Sequence, residues 1–145
     1  MYANLLEITA RNRKDPFTVA DPSDFNFTEG PAIDPEVVIT NPLISLYCLD
    51  HANRRALFVE TAPGVDLAQA PFFYQAQYEN SVQLIAVAYE TLHELAGRIA
   101  LDDRKVILVY SVGRAGSTLL GSALNAAEGI VGISEPDVFT QQVGS

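Results

Sequence analysis

The chain has 145 residues, with 18 acidic side chains against 9 basic ones and a formal charge of -9. At 48% hydrophobic and 19% charged residues, the composition suits a packed core and excludes an acidic disordered tail. A chain this acidic has no electrostatic footprint for nucleic acid, and its one basic knot, Arg11, Arg13 and Lys14, is too short to create one.

A single cysteine, Cys48, closes no intramolecular disulfide, and one thiol with two scattered histidines builds no zinc cage. Cys48 is therefore expected in the core, in a reducing compartment. The first 20 residues mix short apolar pieces with charge, unlike a secretory leader. The longest apolar stretch, Val82 to Tyr89, falls far short of the roughly 20 residues that span a bilayer. A cytoplasmic protein without a membrane span is expected, and the Asn26-Phe27-Thr28 sequon is chance without a secretory route.

In chain order, Tyr2 to about Arg11 carries a short helical pattern, followed by Asp15-Pro16, Asp21-Pro22, Gly30-Pro31 and Asp34-Pro35 turns. Residues 1–35 therefore read as an extended, turn-rich arm. Val37 to Ile39 is β-prone, and the apolar runs Leu43 to Leu49 and Ala56 to Val59 flank a polar loop, Asp50 to Arg54, as in a β-hairpin. After Ala62-Pro63-Gly64 the signal turns helical, with Pro71 suited to a first turn. Val82, Ile85, Tyr89, Leu92, Ala96 and Ile99 form one stripe of a long amphipathic helix, with Glu94 and Arg98 spaced to pair. Val82 to Tyr89 also suits a strand, since Val, Ile and Tyr favour sheet. His93 reads as a helix-surface histidine. Residues 36–104 are thus a hairpin plus helical region, a substrate-side or accessory part, in which Phe72, Phe73, Tyr74 and Tyr78 line either a core or an acceptor pocket.

The chemistry sits in residues 105–145. Val106 to Tyr110 reads as a strand buried on both faces of a parallel sheet. Ser111 to Thr118 follows as a glycine-containing loop. Leu120, Ala123, Leu124 and Ala127 give a helix capped by Gly129, and Ile130 to Ile133 a second parallel strand. The fold class expected is α/β, a P-loop-type strand-loop-helix-strand unit. Such a loop delivers backbone N–H groups and the positive end of a helix dipole to one point, an anion site. Set against G-x-x-x-x-G-K-[ST], Gly116 matches the second glycine, Ser111 stands at the first and Ser117 at the lysine. Without that lysine an ordinary ATPase or GTPase is disfavoured.

Gly113-Arg114-Ala115-Gly116-Ser117-Thr118-Leu119-Leu120 resembles the 5′-phosphosulfate-binding loop of sulfotransferases, particularly the carbohydrate-type and bacterial branches. The resemblance extends to Glu135-Pro136, and covers about Lys105 to Gln141. It implies an enzyme that transfers a sulfuryl group from 3′-phosphoadenosine 5′-phosphosulfate (PAPS) to an acceptor hydroxyl or amine. Gly113, Arg114, Ala115, Gly116, Ser117 and Thr118 would bind the cofactor, with Arg114 at the transferring group. The acceptor would be a small molecule or a carbohydrate. A right-handed crossover also holds a carboxylate at the end of the second strand near the loop, which makes Glu135 the candidate base. Glu135 could instead cap the next turn or pair with Arg114, and Asp137 is a second candidate for the same role. The family's 3′-phosphate clamp is not in these residues, so an N-terminal portion of a longer enzyme, inactive alone and prone to self-association, is expected. Two other readings stand beside this one: a P-loop kinase or NTPase relative lacking the lysine, and a non-enzymatic anion-binding or assembly domain.

Overall fold

The computed structural model describes residues 2–99, 105–110 and 115–134. Its centre is a five-stranded antiparallel sheet in the order β2-β1-β5-β4-β3. The strands are β1 (Ala3–Arg11), β2 (Phe25–Ile33), β3 (Ile44–Asp50), β4 (Arg55–Thr61) and β5 (Ser81–Ala88). Among the described residues four α-helices accompany them: α1 (Val37–Thr40), α2 (Phe73–Asn80), α3 (Tyr89–Ala96) and α4 (Ser117–Asn125).

The sheet has a core on each face, because successive side chains of a strand point to opposite sides. One face buries Leu6, Leu57, Val59, Leu84 and Ala86 with Phe25, Tyr47 and Cys48, against Tyr78 of α2. The other buries Ala3, Ala56, Phe58, Ile85 and Val87 with Val38 of α1 and Leu95 of α3. Coverage on both faces explains why β4 and β5 read as near-continuous apolar runs rather than alternating ones.

The α/β fold expected from the sequence is therefore corrected. The sheet is antiparallel, and neither Val106 to Tyr110 nor Ile130 to Ile133 is a strand. Both segments were expected from composition, which measures apolarity and not the presence of a backbone partner. Tyr2 to Arg11 is likewise no helix: β1 pairs with β2 on one side and β5 on the other, and those ladders override its local pattern. Of the two readings of Val82 to Tyr89, the strand holds, and the long amphipathic helix shrinks to α3 after β5. Arg98 reaches Glu36 at 2.9 Å instead of pairing along its own helix with Glu94. Val37 to Ile39 is one turn of α-helix, where the Asp34 carboxylate accepts the Glu36 N–H at 3.0 Å. Pro71 precedes Phe72, the N-cap of α2.

The hairpin was legible. β3 and β4 pair antiparallel across the Asp50–Arg54 loop, where Asp50 accepts bonds from Asn53 and Arg55 at 2.8 and 3.0 Å. Cys48 lies in the core, its thiol pushed up by burial, with the Asp21, Asp24 and Asp50 carboxylates adding to the effect. It is packing, not a nucleophile.

Residues 12–24, between β1 and β2, are folded against the sheet by a buried charge cluster. Arg13 Nη1 donates to Asp24 Oδ2 at 3.2 Å and to the Tyr47 hydroxyl at 2.9 Å, while that hydroxyl donates to Asp24 Oδ2 at 2.6 Å. The guanidinium also lies 4.8 Å from the Tyr74 ring centroid, a cation–π contact. Burial and the neighbouring Asp24 push the Tyr47 hydroxyl up, so it stays protonated. Arg13, one of the three residues of the basic knot in the sequence, is thus spent inside the fold.

Candidate functional site

The loop-helix element expected after residue 110 is present in its second half. α4 begins at Ser117 with Gly116 as N-cap, and Gly116 stands at φ 83°, ψ 20°, a left-handed conformation that a residue with a Cβ adopts only under strain. Among the described residues no side chain caps this end, and no acidic residue stands in its first turn. The Leu120 N–H to Gly116 carbonyl bond, 3.0 Å, is the first within the helix. The amides of Ser117, Thr118 and Leu119 therefore have no intrahelical acceptor. Ala115, Gly116, Ser117 and Thr118 are all exposed. The arrangement presents N–H and hydroxyl donors at the positive end of a helix dipole, the chemistry of a phosphate or sulfate site.

Gly113, Arg114, Glu135 and Asp137 lie outside the described residues. What the structure does give is the direction of the chain on either side of them. After α4 the backbone turns at Ala127–Ile130, with Gly129 at φ 80°, and doubles back along the helix. A Cβ added at Gly132 would come 3.1 Å from Asn125 Oδ1 and 3.4 Å from the Gly121 carbonyl, so only glycine fits that approach without displacement. Gly132 thus lies against α4 between Gly121 and Asn125.

Asn125 fastens this return. Its Nδ2 donates to the Ala68 carbonyl at 2.9 Å and to the Gly132 carbonyl at 3.2 Å, and its Oδ1 accepts the Gly132 N–H. Ser134 then accepts the Phe73 N–H at 3.0 Å, at the first residue of α2. Sequence reasoning passed over Asn125. Its signal was a lone amide among the small and apolar residues Ala123 to Ala127.

Two clefts mark the surface of the described residues. One, of about 370 Å³, is lined by Asn4, Arg55, Ala86, Ala88, Thr91 and Glu94 among others, and takes no residue from 105–134. Its cation is already engaged, because Arg55 pairs with Asp50 at 3.0 Å and Glu29 at 2.8 Å. The second, of about 250 Å³, is lined by Ser45, Thr61, Asp66, Phe73, Val131 and Ile133 among others. Of the aromatic residues proposed from sequence as pocket lining, Phe73 lines this cleft, whereas Tyr74 is buried and Tyr78 packs against the core.

Among the described residues no group of three or more His, Cys, Asp or Glu side chains could hold a metal ion, and no helix is long and apolar enough to cross a membrane. His93 is exposed on α3. No protein-family model, curated protein or solved structure matches this chain.

Proposed function

We propose that the chain carries the 5′-phosphosulfate-binding loop of a PAPS-dependent sulfotransferase, with Gly113 to Thr118 holding the cofactor and Glu135 as base. The observation that carries the reading is the start of α4. A left-handed glycine opens the helix, donors are exposed, no side-chain cap is seen among the described residues and the first turn carries no acidic residue. That donor set fits a phosphosulfate group, and the absence of lysine at Ser117 disfavours a nucleoside triphosphate. Glu135 as base rests on the resemblance of Glu135-Pro136 to the same family.

Bound PAPS would supply the sulfuryl group: the sulfur bond to the 5′-phosphate oxygen breaks, its electron pair leaving with adenosine 3′,5′-bisphosphate (PAP), as the acceptor oxygen bonds to sulfur. The residues contribute position and charge. The amides of Ser117 and Thr118 with their hydroxyls hold the 5′ oxygens, fixed donors that need no reorganisation during the reaction. Arg114 neutralises the transferring group. Glu135 receives the proton of the acceptor hydroxyl.

Calorimetric titration of the chain with PAP and with ATP, each with and without magnesium, tests this. PAP should bind more tightly than magnesium-ATP and without need of the metal, and Arg114→Ala should weaken it. Tighter magnesium-ATP binding would overturn the reading in favour of a kinase or NTPase relative, and no binding of either nucleotide would overturn it in favour of a non-nucleotide anion site.

A further inference from the structure

We infer that the cleft of about 370 Å³ at one end of β1, β5 and β4 binds a single sugar ring carrying an amine, an amino sugar. The cleft takes no residue from 105–134, so the inference goes beyond the sulfotransferase reading and does not rest on it.

The floor follows from strand register. Asn4 of β1 lies opposite Ala86 of β5, and Arg55 of β4 lies opposite Ala88. Residues directly opposite in an antiparallel pair share a face, and so do residues two apart on one strand. All four side chains therefore stand on the same face. The two alanines of the middle strand are short between long neighbours, which leaves a hollow. Tyr2 borders it, as do Asn53 of the hairpin loop and Thr91 and Glu94 of α3. The volume corresponds to about a dozen waters at about 30 Å³ each, room for one ring with its hydroxyls.

The polar groups of the lining call for a hydroxylated ligand. Thr91 is only 9% exposed, and Asn4 is half-buried within a strand, where asparagine is disfavoured. Neither side chain makes a hydrogen bond among the described residues. Polar groups this buried are normally bonded, so these two are matched by what fills the cleft. Asn53 gives its Nδ2 to Asp50 at 2.8 Å and keeps Oδ1 to accept. Arg55 gives Nε to Asp50 and Nη1 to Glu29 and keeps Nη2 to donate. Donors and acceptors thus stand side by side, which suits hydroxyls, since each hydroxyl does both. The methyls of Ala86 and Ala88 and the Tyr2 ring suit the C–H face of the sugar.

Charge selects the amine. Arg55 is the one cation among the described residues of the lining, and Asp50 and Glu29 already neutralise it. Glu94 is exposed and lacks the Arg98 partner that its spacing offers, because Arg98 pairs with Glu36 at 2.9 Å. Three carboxylates against one guanidinium repel an acidic sugar and draw an ammonium to Glu94.

Proton–nitrogen correlation spectra of the full chain, titrated with glucosamine, glucose and glucuronate, test this. Saturable shifts at the side-chain amides of Asn4 and Asn53 are expected with glucosamine. Glucose should bind about fivefold more weakly, the worth of one exposed charge pair, and glucuronate not at all. Glu94→Gln should erase the preference for glucosamine and leave glucose unchanged. Ala88→Trp fills the hollow and should weaken both sugars by about tenfold or more. If Ala88→Trp loses the native spectrum, Glu94→Gln carries the test, because that exposed side chain holds no partner among the described residues. No saturable shift at these amides, glucose or glucuronate binding as tightly as glucosamine, or a preference for glucosamine that Glu94→Gln leaves intact would each overturn the inference.

Discussion

β5 and residues 106–110 are both short apolar runs rich in Val, Ile and Leu, yet they meet opposite fates. In β5, Leu84, Ile85 and Val87 are at most 1% exposed, whereas every residue from Val106 to Tyr110 is at least 56% exposed. The difference lies in partners. Ile85 sits opposite Leu5 of β1 and Phe58 of β4, so its backbone groups are satisfied on both sides and its side chain meets a face already covered by α1 and α3. Residues 106–110 join no ladder among the described residues. An apolar run becomes a buried strand only when another backbone offers the matching row of donors and acceptors.

The comparison is broken most severely at the charge cluster that closes one face of the body. Asp24→Ala takes the Asp24 carboxylate from the Arg13 guanidinium, whose side chain is 3% exposed. Breaking such a buried pair from one side should cost about 3 to 5 kcal/mol of unfolding free energy, measured by urea denaturation. A loss below about 1 kcal/mol, the range of an exposed pair, would mean that the loop of residues 12–24 does not stay docked.

Next in size is the direct contrast between the two runs. Leu84→Ala should cost about 2 to 5 kcal/mol, the usual range for emptying a core site. Ile107→Ala, on a side chain 80% exposed, should stay within about 0.5 kcal/mol. Equal costs would show that residues 106–110 are covered in solution by another copy of the chain.

Asn125→Ala addresses the joint between the regions. It removes the amide that ties Ala68 to Gly132, worth about 1 kcal/mol of net hydrogen bonding. The loss should surface locally, as faster proteolysis within residues 126–134 at an unchanged global unfolding midpoint. A shifted midpoint with unchanged proteolysis would place α4 inside the cooperative body.

The smallest effect is pH-dependent and belongs to the hairpin. Burial alone would raise the Asp50 carboxyl, but hydrogen bonds from Asn53 and Arg55, with the Arg55 charge, prevail and hold it below the usual carboxylate value. A depressed folded pKa stabilises the protein above the unfolded value of about 3.9 and loses that contribution as pH falls through the folded value. Asp50→Asn should therefore be less stable than the parent at pH 7, with the gap closing below about pH 4. A gap that persists unchanged at low pH would show that shape, not charge, is what Asn fails to supply.

The sequence by itself determined the pieces whose information is local. The β3–β4 hairpin followed from two apolar runs around a polar loop, α4 from its i, i+3, i+4, i+7 spacing, the glycine at its start from the demands of a tight loop, and the burial of Cys48 from its place in a strand. Each depends on residues within one turn or one hairpin of one another. Tertiary structure alone decided the rest. β1 is a strand because β2 and β5 flank it, although its own residues also fit a helix. The apolar stripe from Val82 breaks into β5 and α3 because sheet pairing satisfies both sides of its first half. Arg13 leaves the surface because Asp24, Tyr47 and Tyr74 converge from three other segments. Such pairings join residues far apart in the chain, and a local pattern records apolarity and spacing but not which distant backbone or charge will arrive to meet it.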